Sequence, residues 1–478
     1  MMRTVFDAKR AIILTAAMAP SLSMAGGFSL NEQSASAMGT ANAGAAANPQ
    51  NASTVIFNPA GMTQLSGTNL SFGAAVLDID AEADKASATY QVGTDVPKTG
   101  KGGDIADPAY LPSAFLTHEM TENVAVGVGL HAPYGLAADY DNDFTGRYFA
   151  DETELTGIAL TPSIAVDSGN GLSLGVGVNI MYLEGKLSKF NDPTGLYAEE
   201  QGWNLKELTP AQREEATNYA NGLSESDNTP YSNVEGDTIE YTLRIGALYE
   251  LSDQTQFGLT AETGTGSSLE GDITVSNFPK PTSKNPAKTT TLKEDAEVPL
   301  DIPPSATFGA RHQLNDEVTL LFGATWARWS DFEELDVYSD EGGTGQVSRA
   351  LERNPITHIT EKWEDTWQYN LGATWQANPE WKLKAGYAWD ESPVDSYKTA
   401  RIPSQDRHWL TLGTQFAPAN TDWKVDAAVG TLIFDGDAKF TERDYSHQKP
   451  TTPTSAASYS GSYDLSAWSA SVELSRSF

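Results

Sequence analysis

Residues Gly171 to Gly175, "GLSLG", have the G-x-S-x-G spacing of a serine nucleophile. That chemistry needs the serine on a strand-to-helix elbow, whereas alternating apolar and small residues run straight through Ser173. An acyl-transfer enzyme would otherwise bring His118 or His408 to a serine across a sheet, the lesser reading. The six histidines (118, 131, 312, 358, 408 and 447) show no metal-ligand spacing along the chain. "DYDNDFTG" at 139–146 resembles a calcium loop, but its glycine comes late and Ala150 stands where the closing bidentate glutamate belongs. A solvated acidic loop fits better. Neither an enzyme nor a resident metal or cofactor is expected.

The elements that carry these residues are written in period two. In "GLSLGVGVNIMYLEG" Leu172, Leu174, Val176, Val178, Ile180 and Tyr182 share one face, and Ser173, Gly175, Gly177 and Asn179 the other. "TIEYTLRIGALYEL", "WQYNLGATWQA" and "WKLKAGYAWD" repeat the pattern. Successive strand residues point to opposite faces, so each segment has one oily and one wet side. A soluble sandwich alternates too, but here aromatics gather near segment ends, as membrane-interface girdles require. Six tight turns, "TEN", "SGNG", "SDQ", "LNDE", "ANPE" and "PANT", alternate with long acidic loops. These features predict an all-β fold, a transmembrane antiparallel barrel of about 14 strands. The chain ends on the alternating "LSAWSASVELSRSF", with a terminal aromatic that resembles the signal read by the outer-membrane assembly machinery.

Composition agrees. No apolar run reaches the roughly eighteen residues of a membrane helix. The formal charge of -33 repels nucleic acid, and the absence of cysteine excludes a disulfide-stapled secreted domain. Arg3, Lys9 and Arg10 precede the apolar "AIILTAAMAP" and the small residues Ser23 and Ala25, which predicts a cleaved signal peptide at 1–25. Residues 67–478 then form the barrel. Residues 26–66 are rich in Ala, Gly, Ser and Asn and contain the Asn58-Pro59-Ala60 turn. They are too irregular for the wall and too apolar for a free tail, so they are expected as a plug, or hatch, in a lumen too wide for side chains to fill.

"GGFSLNEQSASAMGTANAGAAANPQNASTVIFNPAGM" resembles the hatch of the FadL-type outer-membrane transporters of long-chain fatty acids and other hydrophobic compounds. The likeness continues through "APYGLAADYDNDFTGRY", "LDIPPSATFGARHQLND", "ATWARWSDFEEL", "AGYAWDESPV" and "RIPSQDRHWLTLGTQF". It implies passive uptake: capture on an apolar groove among the loops, binding inside the barrel, and release into the membrane through a gap beside an inward-kinked third strand. On that strand, "NVAVGVGLHAPYGLA", the stretch His131-Ala132-Pro133-Tyr134-Gly135 is where the kink is expected; the other reading is that Pro133 ends the strand at the rim. Phe28 matches a hatch aromatic that can touch ligand.

The resemblance also places a basic headgroup residue at Lys189. A second is expected at position 336, where this chain has Asp336, after Trp329-Ser330-Asp331-Phe332-Glu333-Glu334-Leu335. A reversed charge disfavours a buried carboxylate ligand, which points to a neutral hydrophobic substrate or to another cation, Arg147 or Arg244. Leu208, Tyr219 and Leu223, around a helix capped by Thr209, Pro210 and Gln212, are the groove candidates. The expected partners are the hydrophobic ligand, outer-membrane lipid and lipopolysaccharide, bridged by divalent ions at acidic loops, with a monomeric state. A general diffusion porin or a surface adhesin is the alternative function.

Overall fold

The computed structural model describes residues 26–225, 228–279, 289–449 and 451–478. The expected signal peptide, 1–25, lies outside them. Among the described residues, nineteen strand segments join in one antiparallel sheet. The first strand, Thr68–Thr89, pairs with the last, Ser458–Ser477, from Asn69 opposite Ser477 to Thr89 opposite Ser458. That ladder closes a barrel of fourteen wall strands. Closure leaves no free edge, so the backbone is satisfied without water and the wall can stand in lipid.

Segments outnumber wall strands because several strands are interrupted. Thr289–Leu300 and Ser305–Gln313 are one wall strand broken at Asp301-Ile302-Pro303-Pro304, where two prolines cannot donate to a ladder. Val318–Ala327 and Glu334–Ser339 are parted by the short 3-10 turn Trp329–Asp331, which drives the Trp329 ring into the interior.

The faces follow the alternation. Leu172, Leu174, Val176 and Val178 point outward and exposed, as do Ile239, Tyr241, Leu243, Ile245, Trp367, Leu371, Trp468 and Val472. Between them Ser173, Asn179, Thr242 and Asn370 point inward and are buried. The tight turns join strands at one rim. At the other rim stand the long connections, including the helices Pro193–Glu200 and Pro210–Glu225. The second helix starts on a capping box: the Gln212 carboxamide accepts from Thr209 N at 2.9 Å, and Thr209 Oγ1 accepts from Gln212 N at 3.4 Å.

Residues 26–66 fold inside the barrel as short turns, Ala35–Met38, Ala45–Ala47, Thr54–Phe57 and Pro59–Gln64. Asn58 organises the last of these: its Oδ1 accepts from Ala60 N, and its Nδ2 donates to Ala46 O at 2.6 Å and to Ala247 O of the wall at 3.0 Å. Inward-facing glycines let the hatch backbone touch the wall. A Cβ on Gly258 would stand 1.9 Å from Ala46 O, on Gly246 2.1 Å from Asn58 Oδ1, and on Gly386 2.1 Å from the Thr40 carbonyl carbon.

Charge supplies the remaining anchors. Buried Lys384 donates to Ser36 O at 2.8 Å, Gln50 Oε1 at 2.9 Å and Asp426 Oδ1 at 2.7 Å. The Glu473 carboxylate on the last strand accepts from Ser34 Oγ at 2.5 Å and from Asn51.

Candidate functional site

The third strand, Val124–Asp139, pairs with the second only up to Leu130, opposite Ala114. Above that point residues 109–113 of the second strand keep their ladder to the first strand and have none to the third. Toward the fourth strand the register shifts: His131 faces Ala159, and Tyr134 faces Gly157. Ala132 and Pro133 together oppose Ile158, a bulge that bends the strand. The strand does not end at Pro133; it resumes at Tyr134 and continues to Asp139.

The hatch occupies the vacated ladder position. Leu30 N donates to Pro133 O and Gly135 N donates to Phe28 O, both at 3.0 Å, with Ser29 bridged to Tyr134. Phe28 is buried in an aromatic cage: Trp329 lies 4.6 Å away edge-on, Trp363 at 5.9 Å, and Tyr134 and Phe332 at 6.0 Å. Gly27, at φ +65°, allows this approach, since a Cβ there would lie 2.3 Å from the Trp329 ring. Beside the cage is an apolar cavity of about 50 Å³, whose lining includes Phe28, Leu136, Leu155, Leu269, Val298 and Phe332.

His131, buried, sits at one end of a polar chain along the inner wall. Its Nε2 lies 3.2 Å from Thr161 Oγ1, which donates to Asn179 Oδ1 at 2.6 Å. Asn179 donates to Thr242 Oγ1 at 3.0 Å, and Thr242 donates to Glu262, which also holds Arg244. Arg244 is therefore part of a wall network below the kink.

Among the loops lies a larger cavity of about 500 Å³, lined in part by Tyr148, Phe149, Lys189, Leu196, Leu205, Arg353, His358 and His447. Lys189 reaches this cavity. Arg147 does not line it: the guanidinium donates to Phe144 O at 3.1 Å and Thr99 Oγ1 at 3.2 Å and stacks over Tyr148. Leu208 and Leu223 are buried within the loop packing, and half-exposed Tyr219 stacks on Tyr197 at 4.7 Å. None of these three lines either cavity. Asp192 fixes this region by capping the helix Pro193–Glu200, accepting from Thr194 N at 2.8 Å and Gln91 N at 2.6 Å. Burial pushes its carboxyl up to about 6, against the pull of those hydrogen bonds.

Asp336 is buried and accepts from Tyr338 OH at 3.0 Å. Its Oδ1 lies 2.6 Å from His358 Nδ1 and its Oδ2 3.0 Å from His447 Nδ1. Sequence spacing gave no hint of this grouping, because the partners meet across strands and loops. It likewise missed Trp363, which no local pattern distinguishes from other barrel aromatics. Ser173 lies within the strand Leu172–Phe190 and accepts from Thr63 Oγ1 at 2.8 Å. His118 and His408 are engaged with Thr68 and with Tyr387 and Asp435, and Asp141, Asn142 and Asp143 are exposed.

A plugged fourteen-strand wall with an interrupted third strand is a particular architecture, and the family model described as "Outer membrane protein transport protein (OMPP1/FadL/TodX)" matches residues 16–478. The chain belongs to this family. OMPP1/FadL/TodX proteins are transporters or channels of the Gram-negative outer membrane, and the chain is accordingly an outer-membrane transport protein for hydrophobic compounds. It is 26% identical to the long-chain fatty acid transport protein of Escherichia coli K12, over 90% of this chain and 92% of that one. It is 27% identical to a 47 kDa outer membrane protein of Pasteurella multocida, over 82% and 84%. Among solved structures, a Pseudomonas aeruginosa FadL homologue superposes with a TM-score of 0.77 at 22% identity, covering 97% of this chain and 100% of the other. The Pseudomonas putida toluene transporter TodX gives 0.63 at 17%, covering 94% and 99%. These two likenesses concern the fold.

Proposed function

We propose that this OMPP1/FadL/TodX protein takes up long-chain fatty acids or similarly sized hydrophobic molecules passively, without catalysis. The ligand enters the loop cavity, where Lys189 meets a carboxylate if there is one. It then passes to the apolar cavity beside Phe28 and leaves sideways between the second and third strands. The observation that carries this reading is the pairing of Phe28–Leu30 with Pro133–Gly135. The hatch segment that touches the inner cavity is also the one that covers the kink, so a ligand displacing Phe28 strains the cover of the gap. The relatives named long-chain fatty acid transport proteins support the substrate class, and the toluene transporter fold is compatible with a neutral one.

Asp336 bears less on ligand charge than its sign suggests, because His358 and His447 stand between its carboxylate and the cavity. On this reading the protein acts as a monomer, reaches the membrane through the outer-membrane assembly machinery, and exposes its acidic loops among lipopolysaccharide. The test is uptake by cells lacking their own transporter, supplied separately with a long-chain fatty acid and a neutral hydrocarbon of similar size. Uptake of either, lost when Leu30→Cys and Gly135→Cys are oxidised to a disulfide across the kink and restored on reduction, supports the path. Entry of small polar solutes with neither hydrophobic molecule overturns it in favour of a porin.

A further inference from the structure

We infer that Glu334, Asp336, His358 and His447 form a binding site for a divalent transition-metal ion of the zinc class, which clasps two loops at the mouth of the outer cavity. Each residue offers one ligand atom, and the four atoms lie within 4.8 Å of one another. The measured pairs are 2.6 Å from His358 Nδ1 to Asp336 Oδ1, 3.0 Å from His447 Nδ1 to Asp336 Oδ2, 3.2 Å from His447 Nδ1 to Glu334 Oε1, and 3.8 Å from His358 Nδ1 to Glu334 Oε2. Ligands about 2.0–2.2 Å from a tetrahedral zinc stand roughly 3.3–3.6 Å apart. The spacings straddle that value, and side-chain shifts of up to about 1 Å, toward one oxygen of each carboxylate, would complete the site.

Three of the donors are held by one antiparallel ladder. Asp336 faces His358 directly and Glu334 faces Thr360; residues two apart share a face, so both carboxylates lie on the side of the His358 ring. With an ion in place, His358 Nε2, 3.0 Å from Thr360 Oγ1, donates its proton there and leaves the Nδ1 lone pair for the metal; without one, a proton on Nδ1 bridges to Asp336 Oδ1 at 2.6 Å. Tyr338 OH holds Asp336 Oδ2 from outside. Such outer hydrogen bonds orient metal ligands and raise their basicity. His447 comes from a different loop and is 43% exposed, whereas Asp336 is 1% exposed, so an ion has an entry path to a buried anionic seat.

Two imidazoles and two carboxylates suit zinc and its neighbours better than magnesium or calcium, which take oxygen ligands. Because His358 and His447 both line the 500 Å³ cavity, the ion would tie the strand pair Glu334–Ser339 and Thr357–Thr360 to the His447 loop across the cavity mouth. The inference does not depend on the transported molecule.

The test uses untagged full-length protein in detergent, stripped with chelator and titrated calorimetrically with zinc chloride, with magnesium and calcium chloride as controls. One zinc per chain is expected, weakening as pH falls because the ligands must lose protons. Thr360→Val should weaken binding by about 10–100-fold, and His447→Ala, on an exposed loop, should abolish stoichiometric binding. Heat-modifiable gel mobility shows that each variant barrel is folded. Absence of stoichiometric zinc binding to the folded protein, or equal binding by folded His447→Ala, overturns the site.

Discussion

Replacing Gly386 by alanine probes how tightly the hatch is pressed on the wall. The new Cβ would lie 2.1 Å from the Thr40 carbonyl carbon and 2.3 Å from Ala41 N. Carbon contacts settle near 3.5 Å, so the Thr40–Ala41 turn must retreat by about 1.4 Å. Asn370 Nδ2 donates to Ala41 O at 2.6 Å, and a retreat of that size breaks the bond. Overpacking costs about 1–3 kcal/mol, and a buried group left unpaired costs about 1–3 kcal/mol more. A total near 3 kcal/mol corresponds to about 100-fold more frequent local opening. Hydrogen exchange followed by mass spectrometry should therefore show residues 36–48 exchanging about 100-fold faster while the wall strands keep their protection. Gly323→Ala is the graded control, its Cβ meeting nothing closer than 3.3 Å, and should change exchange little. If Gly386→Ala leaves 36–48 fully protected, the close-packed hatch described above is refuted.

Lys384→Met removes the cation that Asp426 faces at 2.7 Å in a buried setting; breaking such a pair costs about 3–5 kcal/mol, read as accelerated proteolysis of residues 26–66 with the barrel intact. Leu30→Pro deletes the N–H that donates to Pro133 O and should raise open-state conductance in planar bilayers, whereas Leu30→Ala, which keeps that N–H, should raise it less. Asp192→Asn can turn an amide N–H₂ against Gln91 N or Thr194 N, and the lost capping should destabilise the helix Pro193–Glu200 by about 1–3 kcal/mol, seen as its faster exchange.

The wall was legible because lipid on one side and polar lumen on the other impose a period of two, so Leu172 to Val178 declare their face residue by residue. The interruptions were harder to read. Asp301-Ile302-Pro303-Pro304 could be a loop between two strands or a break within one, and only the pairing of Ser305–Gln313 with Thr255–Glu262 decides it. The His131–Gly135 kink was visible through Pro133, but its partner, Phe28–Leu30, lies about a hundred residues upstream and carries no ladder signal. The Glu334, Asp336, His358 and His447 cluster was missed for a related reason. Spacing rules search one element at a time, and here the spacing exists across a ladder and a separate loop.

The placement of Glu473 bears on how the molecule is put together. This carboxylate belongs to the last strand, yet it holds Ser34 and Asn51 near the beginning of the described chain. Other anchors, Lys384 and Asn370, also arrive late in the sequence. The hatch thus cannot collect its full set of partners until the final strand has joined the first. Residues near the start of the chain must wait for those at its end, and a settled plug reports that the wall around it is complete.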